Sequence, residues 1–202
     1  MGMAKLTVQM FVTLDGVVQA PGGPDEDREG SFPHGGWQFP YLEEGSGAVI
    51  LQGIERMDAL LLGRKTYEIF AGYWPRASAD NPFARKMNDV PKYVASRTLK
   101  QVNWKSARLI EGDLAVAVER IKAEHSSPLI IGSAHFLQSL LAEGLVDRLV
   151  LFIFPVILGR GKRLFPEGID PTRFTLTESR AFESGVVFMT YESNGKPTYG
   201  RM

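Results

Sequence analysis

From Leu6 to Thr13, apolar Leu6, Val8, Met10 and Val12 alternate with Thr7, Gln9, Phe11 and Thr13. A period of two predicts a first strand, which Asp15-Gly16 ends. Ala59 to Leu62 is an unbroken apolar run of the kind that a strand covered on both faces shows. Further strands are expected at Lys92–Ser96, Leu129–Ile131 and Leu149–Ile157, where Pro155 suggests a bulge or an edge. Helical spacing appears in four places. Tyr41 to Met57 can form a helix, weakened by Gly45, Gly47 and Gly53, and Thr66 to about Ala71 a short one. Asp113 is a good N-cap for Leu114, Ala117, Val118 and Ile121, and Leu137, Leu140 and Leu141 mark a helix that Gly144 can close. Phe174–Glu178 and Val186–Tyr191 are expected to pair as a terminal hairpin.

Strands alternate with helices until the last strands follow one another. The pattern predicts an α/β three-layer αβα domain with a central mixed, mostly parallel sheet and antiparallel C-terminal edge strands. One domain is expected over 1–192, with 193–202 a flexible tail. The least regular stretch runs from Ala20 to Pro40, a length typical of a lid or binding loop.

Charge changes the picture by subtraction. Lysine plus arginine and aspartate plus glutamate are 23 each, so no global field favours nucleic acid or an anionic membrane. The chain has no cysteine, which removes disulfides and thiol chemistry and fits a reducing compartment. The N-terminus lacks a signal-peptide run, and Leu6 stands where a myristoylation signal starting at Gly2 needs Ser or Thr. A cytoplasmic location is the expectation.

In sheets of this kind, ligands bind beyond the carboxyl ends of the strands. Four segments sit there: Leu14-Asp15-Gly16; Gly63-Arg64-Lys65-Thr66; Ser96-Arg97-Thr98; and Gly132-Ser133-Ala134-His135. Two are strand–Gly–helix turns whose backbone N–H groups suit a pyrophosphate, and two place Arg or Lys beside Ser or Thr, as a ribose 2′-phosphate prefers. There is no P-loop and no G-x-G-x-x-G, and Gly159-Arg160-Gly161-Lys162 reads simply as a turn. His34, His125 and His135 are scattered without carboxylates at ligand spacing, so no metal is expected.

Taken in order, these segments resemble the dihydrofolate reductase superfamily, in particular the branch of the riboflavin-biosynthesis reductase C-terminal domain and its stand-alone bacterial members. The resemblance rests on Thr13–Gly16, Gly35–Trp37, Asp58–Glu68, Phe70–Pro75, Lys92–Thr98 and Gly144–Phe165. It implies a dihydrofolate reductase-like fold, NADPH as hydride donor, a small-molecule substrate and often a homodimer. By position, Gly63, Arg64, Lys65 and Thr66 would hold cofactor phosphates, and Ser96, Arg97 and Thr98 the 2′-phosphate. Ile131, Gly132, Ser133, Ala134, His135 and Phe136 would lie under the pyrophosphate and nicotinamide, which Leu14, Asp15 and Gly16 would border. Where the family usually has Gly-Gly, this chain has Gly132-Ser133.

For the substrate, Trp37, Tyr67, Phe70 and Trp74 are candidate walls, while aromatics near a sheet are more often core. Folate reductases place a carboxylate where this chain has Leu42; Glu43 and Glu44 follow it and, with Asp15, are the candidate catalytic acids. One residue on a helix is ~100° of rotation, so either glutamate can miss the site. Three functions compete: a riboflavin-type reductase like that of 5-amino-6-(5-phosphoribosylamino)uracil, a dihydrofolate reductase, and a non-catalytic NADPH-binding or dimeric scaffold.

Overall fold

The computed structural model describes residues 4–200. Gly2 and the myristoylation question lie outside them. The elements in chain order are β1 (Thr7–Thr13), α1 (Glu44–Arg56), β2 (Ala59–Gly63), α2 (Arg64–Tyr73), α3 (Pro82–Asp89), β3 (Lys92–Ala95) and β4 (Ala107–Leu109). Then come α4 (Leu114–Glu124), β5 (Pro128–Ile131), α5 (Ala134–Ala142), β6 (Arg148–Phe154), β7 (Phe174–Ala181) and β8 (Val187–Ser193).

All eight strands form one sheet in the order β4-β3-β2-β5-β1-β6-β8-β7. The first six positions are parallel, and β8 and β7 run antiparallel at one edge. The side-chain period of a strand divides β2 between two cores. Leu60 and Leu62 pack with Ile50 and Ile54 of α1 on one face. Leu61 packs with Val118 of α4 and Leu137 of α5 on the other. Both faces are covered, which is why the run carries no polar residue.

Neighbouring β2 and β5 send the chain in opposite directions. After β2, α2 leads outward to β3; after β5, α5 leads back across β1 to β6. Tyr67 of α2 enters the first core and Leu137 of α5 the second, so the two helices leave on opposite faces. A crevice must open where they part.

Several boundaries differ from expectation. The first helix starts at Glu44 because residues 39–41 make a separate 3-10 turn around Pro40. The second starts at Arg64, two residues early. β6 stops at Phe154, so Pro155 ends the strand instead of bulging it. Helix α3 was not anticipated; Asn81 Oδ1 accepts from Phe83 N (2.9 Å) and Pro82 holds its first position. The expected tail is partly built into the sheet: β8 runs to Ser193, Asn194 N donates to Arg173 O (2.8 Å) and Arg173 N to Gly195 O (2.8 Å).

Lys92, at the start of β3, is fully buried. Its Nζ donates to Asn88 O (2.6 Å) and Lys105 O (3.0 Å) and lies 4.5 Å from the Trp104 ring centre. It fastens the end of α3 to the loop before β4. Burial, opposed by Asp89, lowers the ammonium from 10.5 to about 8. Below pH 8 both folded and unfolded chains carry the proton; between about 8 and 10.5 only the unfolded chain does, so stability rises with pH across that window. Urea melts of wild type and Lys92→Met at pH 7.5 and 10 are expected to show a rise in the wild type, at most ~3 kcal/mol, that the variant lacks. Parallel pH profiles would contradict it.

Candidate active site

The crevice at the carboxyl ends of β2 and β5 is the centre of a groove of about 1560 Å³. Its geometry follows from how closely the two strand–helix junctions approach. Gly63 N donates to Ser133 Oγ (2.9 Å). A Cβ on Gly63 would lie 3.0 Å from Phe136 Cβ, and one on Gly132 would lie 3.3 Å from Thr66 Cγ2. The turn into α5 needs two left-handed residues in succession, Gly132 (φ 68°) and Ser133 (φ 65°). The second is strained for a residue with a Cβ. Its hydroxyl, already accepting from Gly63, keeps its own proton for a further acceptor.

The helix starts at these junctions differ from the others. Asn81 and Asp113 cap α3 and α4, and Glu43 and Ser46 form a capping box on α1, with Glu43 N donating to Ser46 Oγ (3.3 Å). Helices α2 and α5 begin at Gly63 and Ser133 with no side-chain cap. Their first N–H groups therefore face the groove unpaired within the helix, and the dipoles add positive potential there.

Of the residues expected to hold a cofactor, Gly63, Arg64, Lys65, Thr66, Ser96, Arg97, Ile131, Gly132, Ser133, Ala134, His135 and Phe136 all line this one groove. Arg64 and Arg97 thus share it. Arg64 is meanwhile bridged to Glu68 (3.1 Å), and Lys65 to Glu29 (3.4 Å) across the groove mouth. Ser96 Oγ accepts from Thr98 N (3.2 Å) and Leu99 N (2.9 Å), a turn that presents Arg97 and leaves Thr98 off the lining.

Other expected residues are placed elsewhere. Leu14, Asp15 and Gly16 stand off the groove, and the lining on that side is Val18 to Gly22. The Asp15 carboxylate is used up within a turn: Thr13 Oγ1 (2.6 Å), Leu158 N (3.2 Å) and Gly159 N (2.8 Å) all donate to it. Burial pushes Asp15 up, but those hydrogen bonds outweigh it and hold the carboxyl below its usual range, which suits an anchor and not a proton donor. Glu43 turns away to accept from Ser184 N (2.7 Å), while Glu44 lines the groove. Trp37 is core, its indole N–H donating to Gln19 O (2.7 Å) and its ring edge-on to Phe154. Tyr67 is also structural, its hydroxyl accepting from Asn103 N (2.8 Å) and Trp104 N (3.3 Å). Phe70 and Trp74 do line the groove, edge to face.

The sequence reading missed the opposite wall: Gln38, Leu51 of α1 and Phe83 and Met87 of α3. An Asn-Pro start signal at Asn81-Pro82 was available to find α3. It also missed how firmly residues 20–40 are held. Gln19 Nε2 donates to Asp27 O (3.1 Å) and Glu29 O (3.0 Å), and Lys162 Nζ bridges Asp27 (2.5 Å) and Glu29 (2.7 Å). The loop forms a fixed wall, and the basic turn at 159–162 is its clasp.

A doubly covered, mostly parallel sheet with an anion-ready crevice at its switch point defines a dihydrofolate reductase-like α/β protein. The chain belongs to the RibD C-terminal domain family, a reductase-type family whose model matches residues 4–188. It is 26% identical over 195 residues to the uncharacterized Bacillus subtilis protein YyaP, covering 95% of this chain and 96% of that one. The structure of a putative riboflavin biosynthesis protein from Shewanella sp. PV-4 is 25% identical, with a TM-score of 0.71 over 94% of this chain and 99% of the other. A pyrimidine reductase-like protein from Corynebacterium diphtheriae, 14% identical, shares the fold with a TM-score of 0.61 over 95% of this chain and 92% of its own.

The left-handed Ser133 gives a direct check on this geometry. Ser133→Ala keeps the strain and loses the bond to Gly63, whereas Ser133→Gly loses the bond but relieves the strain. In urea melts the alanine variant should be the less stable of the two by ~1 kcal/mol, the reverse of their order inside a helix. An alanine variant as stable as the glycine one would contradict the turn described.

Proposed function

We propose that this protein is an NADPH-dependent reductase of a small heterocyclic or carbonyl compound. The observation that carries the reading is the meeting of two uncapped helix starts, α2 and α5, in one groove with Arg64, Lys65 and Arg97. A single dinucleotide explains why both caps are missing at one place: its pyrophosphate replaces them.

The residues present fit such a group. Gly63 and Gly132 leave the backbone bare where a phosphate must come close, and the Ser133 hydroxyl has a proton to give. In this reading, Arg64, Lys65 and the first amides of α2 and α5 hold the pyrophosphate, and Ser96 and Arg97 receive the 2′-phosphate. When bound, the dinucleotide supplies the hydride. The chain's own work is to orient two planar partners face to face and keep water out, which the fixed wall of residues 19–27 and the aromatic pair Phe70 and Trp74 favour. Leu42 on the groove, with Glu43 turned onto Ser184, weighs against dihydrofolate as the substrate. The resemblance to stand-alone reductases that often dimerise, together with the cysteine-free composition, fits a homodimeric cytoplasmic enzyme.

Calorimetric titration tests the reading. NADPH should bind more tightly than NADH, and Arg97→Ala should weaken NADPH about tenfold, or ~1.4 kcal/mol, with little effect on NADH. Failure of the protein to bind either dinucleotide would overturn it and favour a scaffold.

A further inference from the structure

Helix α2 has a hollow on each side. Lys65, Ile69, Phe70 and Tyr73 line the groove, whereas Tyr67, Ala71 and Gly72 line a separate pocket of about 610 Å³. The segment Asn103 to Lys105, before β4, closes that pocket from the other side. We propose that it is a second anion site, which takes a phosphate dianion, free or carried as a monoester, against Arg76, Lys105 and the Tyr67 hydroxyl. The site does not depend on the dinucleotide reading.

Charge gives the first argument. Arg76 and Lys105 are on the lining, and no carboxylate is. Among the described residues neither cation forms an ion pair. Arg76 donates to Gly72 O (3.2 Å), which leaves the rest of its guanidinium fork for a ligand. Buried Lys92 adds a cation behind the wall, its Nζ held by the carbonyls of Asn88 and Lys105, both lining residues. Burial lowers that ammonium, Asp89 opposes the change, and Lys105 adds to the lowering. The positive charge of Lys105 is therefore felt in the wall, and Asp89 is the one carboxylate acting there on Lys92. An anion in the pocket relieves that excess.

Hydrogen bonding gives the second. The Tyr67 ring is core, but its oxygen reaches the pocket wall, where Asn103 N (2.8 Å) and Trp104 N (3.3 Å) donate to it. A phenol has two lone pairs and one proton. Both lone pairs are taken, and among the described residues the proton has no acceptor. Two N–H donors on the oxygen also polarise the O–H and strengthen it as a donor. The surrounding wall is already set: Trp104 Nε1 donates to Asn88 Oδ1 (2.7 Å), and Asn88 Nδ2 to Trp74 O (2.9 Å). Beside Gly72 the space is open, since a Cβ there would meet nothing within 4 Å. A dianion with three terminal oxygens matches two unpaired cations and one hydroxyl donor.

Inorganic phosphate, ribose 5-phosphate and ribose separate the parts of this recognition. Each is titrated at constant ionic strength into protein saturated with NADP⁺, so that Arg64, Lys65 and Arg97 are already engaged. Both phosphates should bind and shift the Trp104 indole N–H resonance, and ribose should do neither. Tighter binding of ribose 5-phosphate identifies a monoester as the ligand; tighter binding of inorganic phosphate identifies the free ion. Arg76→Gln and Lys105→Gln, both at exposed positions, should each weaken phosphate about fivefold while leaving NADP⁺ affinity in place. Absence of phosphate binding, or binding that both glutamine variants leave unchanged, overturns the proposal. Should NADP⁺ itself fail to bind, the reductase reading falls, and the same titrations on Arg97→Ala protein still decide this one.

Discussion

The structure turns on one contact, the approach of the β2–α2 junction to the β5–α5 junction. The crossovers from β2 and β5 run in opposite directions along the sheet, and right-handed crossovers of that kind put their two helices on opposite faces. They part, one to each core, and the backbone between them has room for a hydrogen bond from Gly63 to Ser133 and little else. Side chains at Gly63 or Gly132 would press on Phe136 and Thr66. The same junction leaves the helix starts uncapped: Gly63 has no side chain, and the Ser133 hydroxyl accepts from Gly63 instead of from its own helix. The close packing and the uncapped helix starts thus have a common cause.

The acidic residues divide by the same logic. Asp15 and Glu43 are anchors, each engaged by backbone N–H groups from distant segments, Leu158 and Gly159 in one case and Ser184 in the other. Glu26 and Glu44 face the groove instead. Burial, reinforced by Asp27, raises the Glu26 carboxyl despite the bond it accepts from Gly22. Arg64, Lys65 and Arg97 thus line the groove at the strand ends, while Glu44 lines it at the start of α1.

The sheet was legible in the sequence because its strands are short runs buried on both faces, as at Ala59–Leu62 and Leu129–Ile131, and the strand–Gly–helix turns marked residues that line the groove. Local pattern failed where a residue's partner lies far along the chain. Nothing near Tyr67 announces that its hydroxyl meets Asn103 N, nor near Trp37 that its indole meets Gln19 O. Both therefore read as walls until the fold showed them as core. Strand β4, only three residues long, and α3, starting amid polar residues, carry too little periodicity to stand out. The groove wall built on α3 was hidden with it.

The central claim is that the starts of α2 and α5 act together on one ligand. Backbone amide resonances of Arg64, Lys65, Ala134 and His135, followed by two-dimensional NMR during titration with NADP⁺, address it directly. The account predicts that amides from both helices shift in parallel along a single binding curve. Shifts confined to one helix, or two curves with separate dissociation constants, would contradict it.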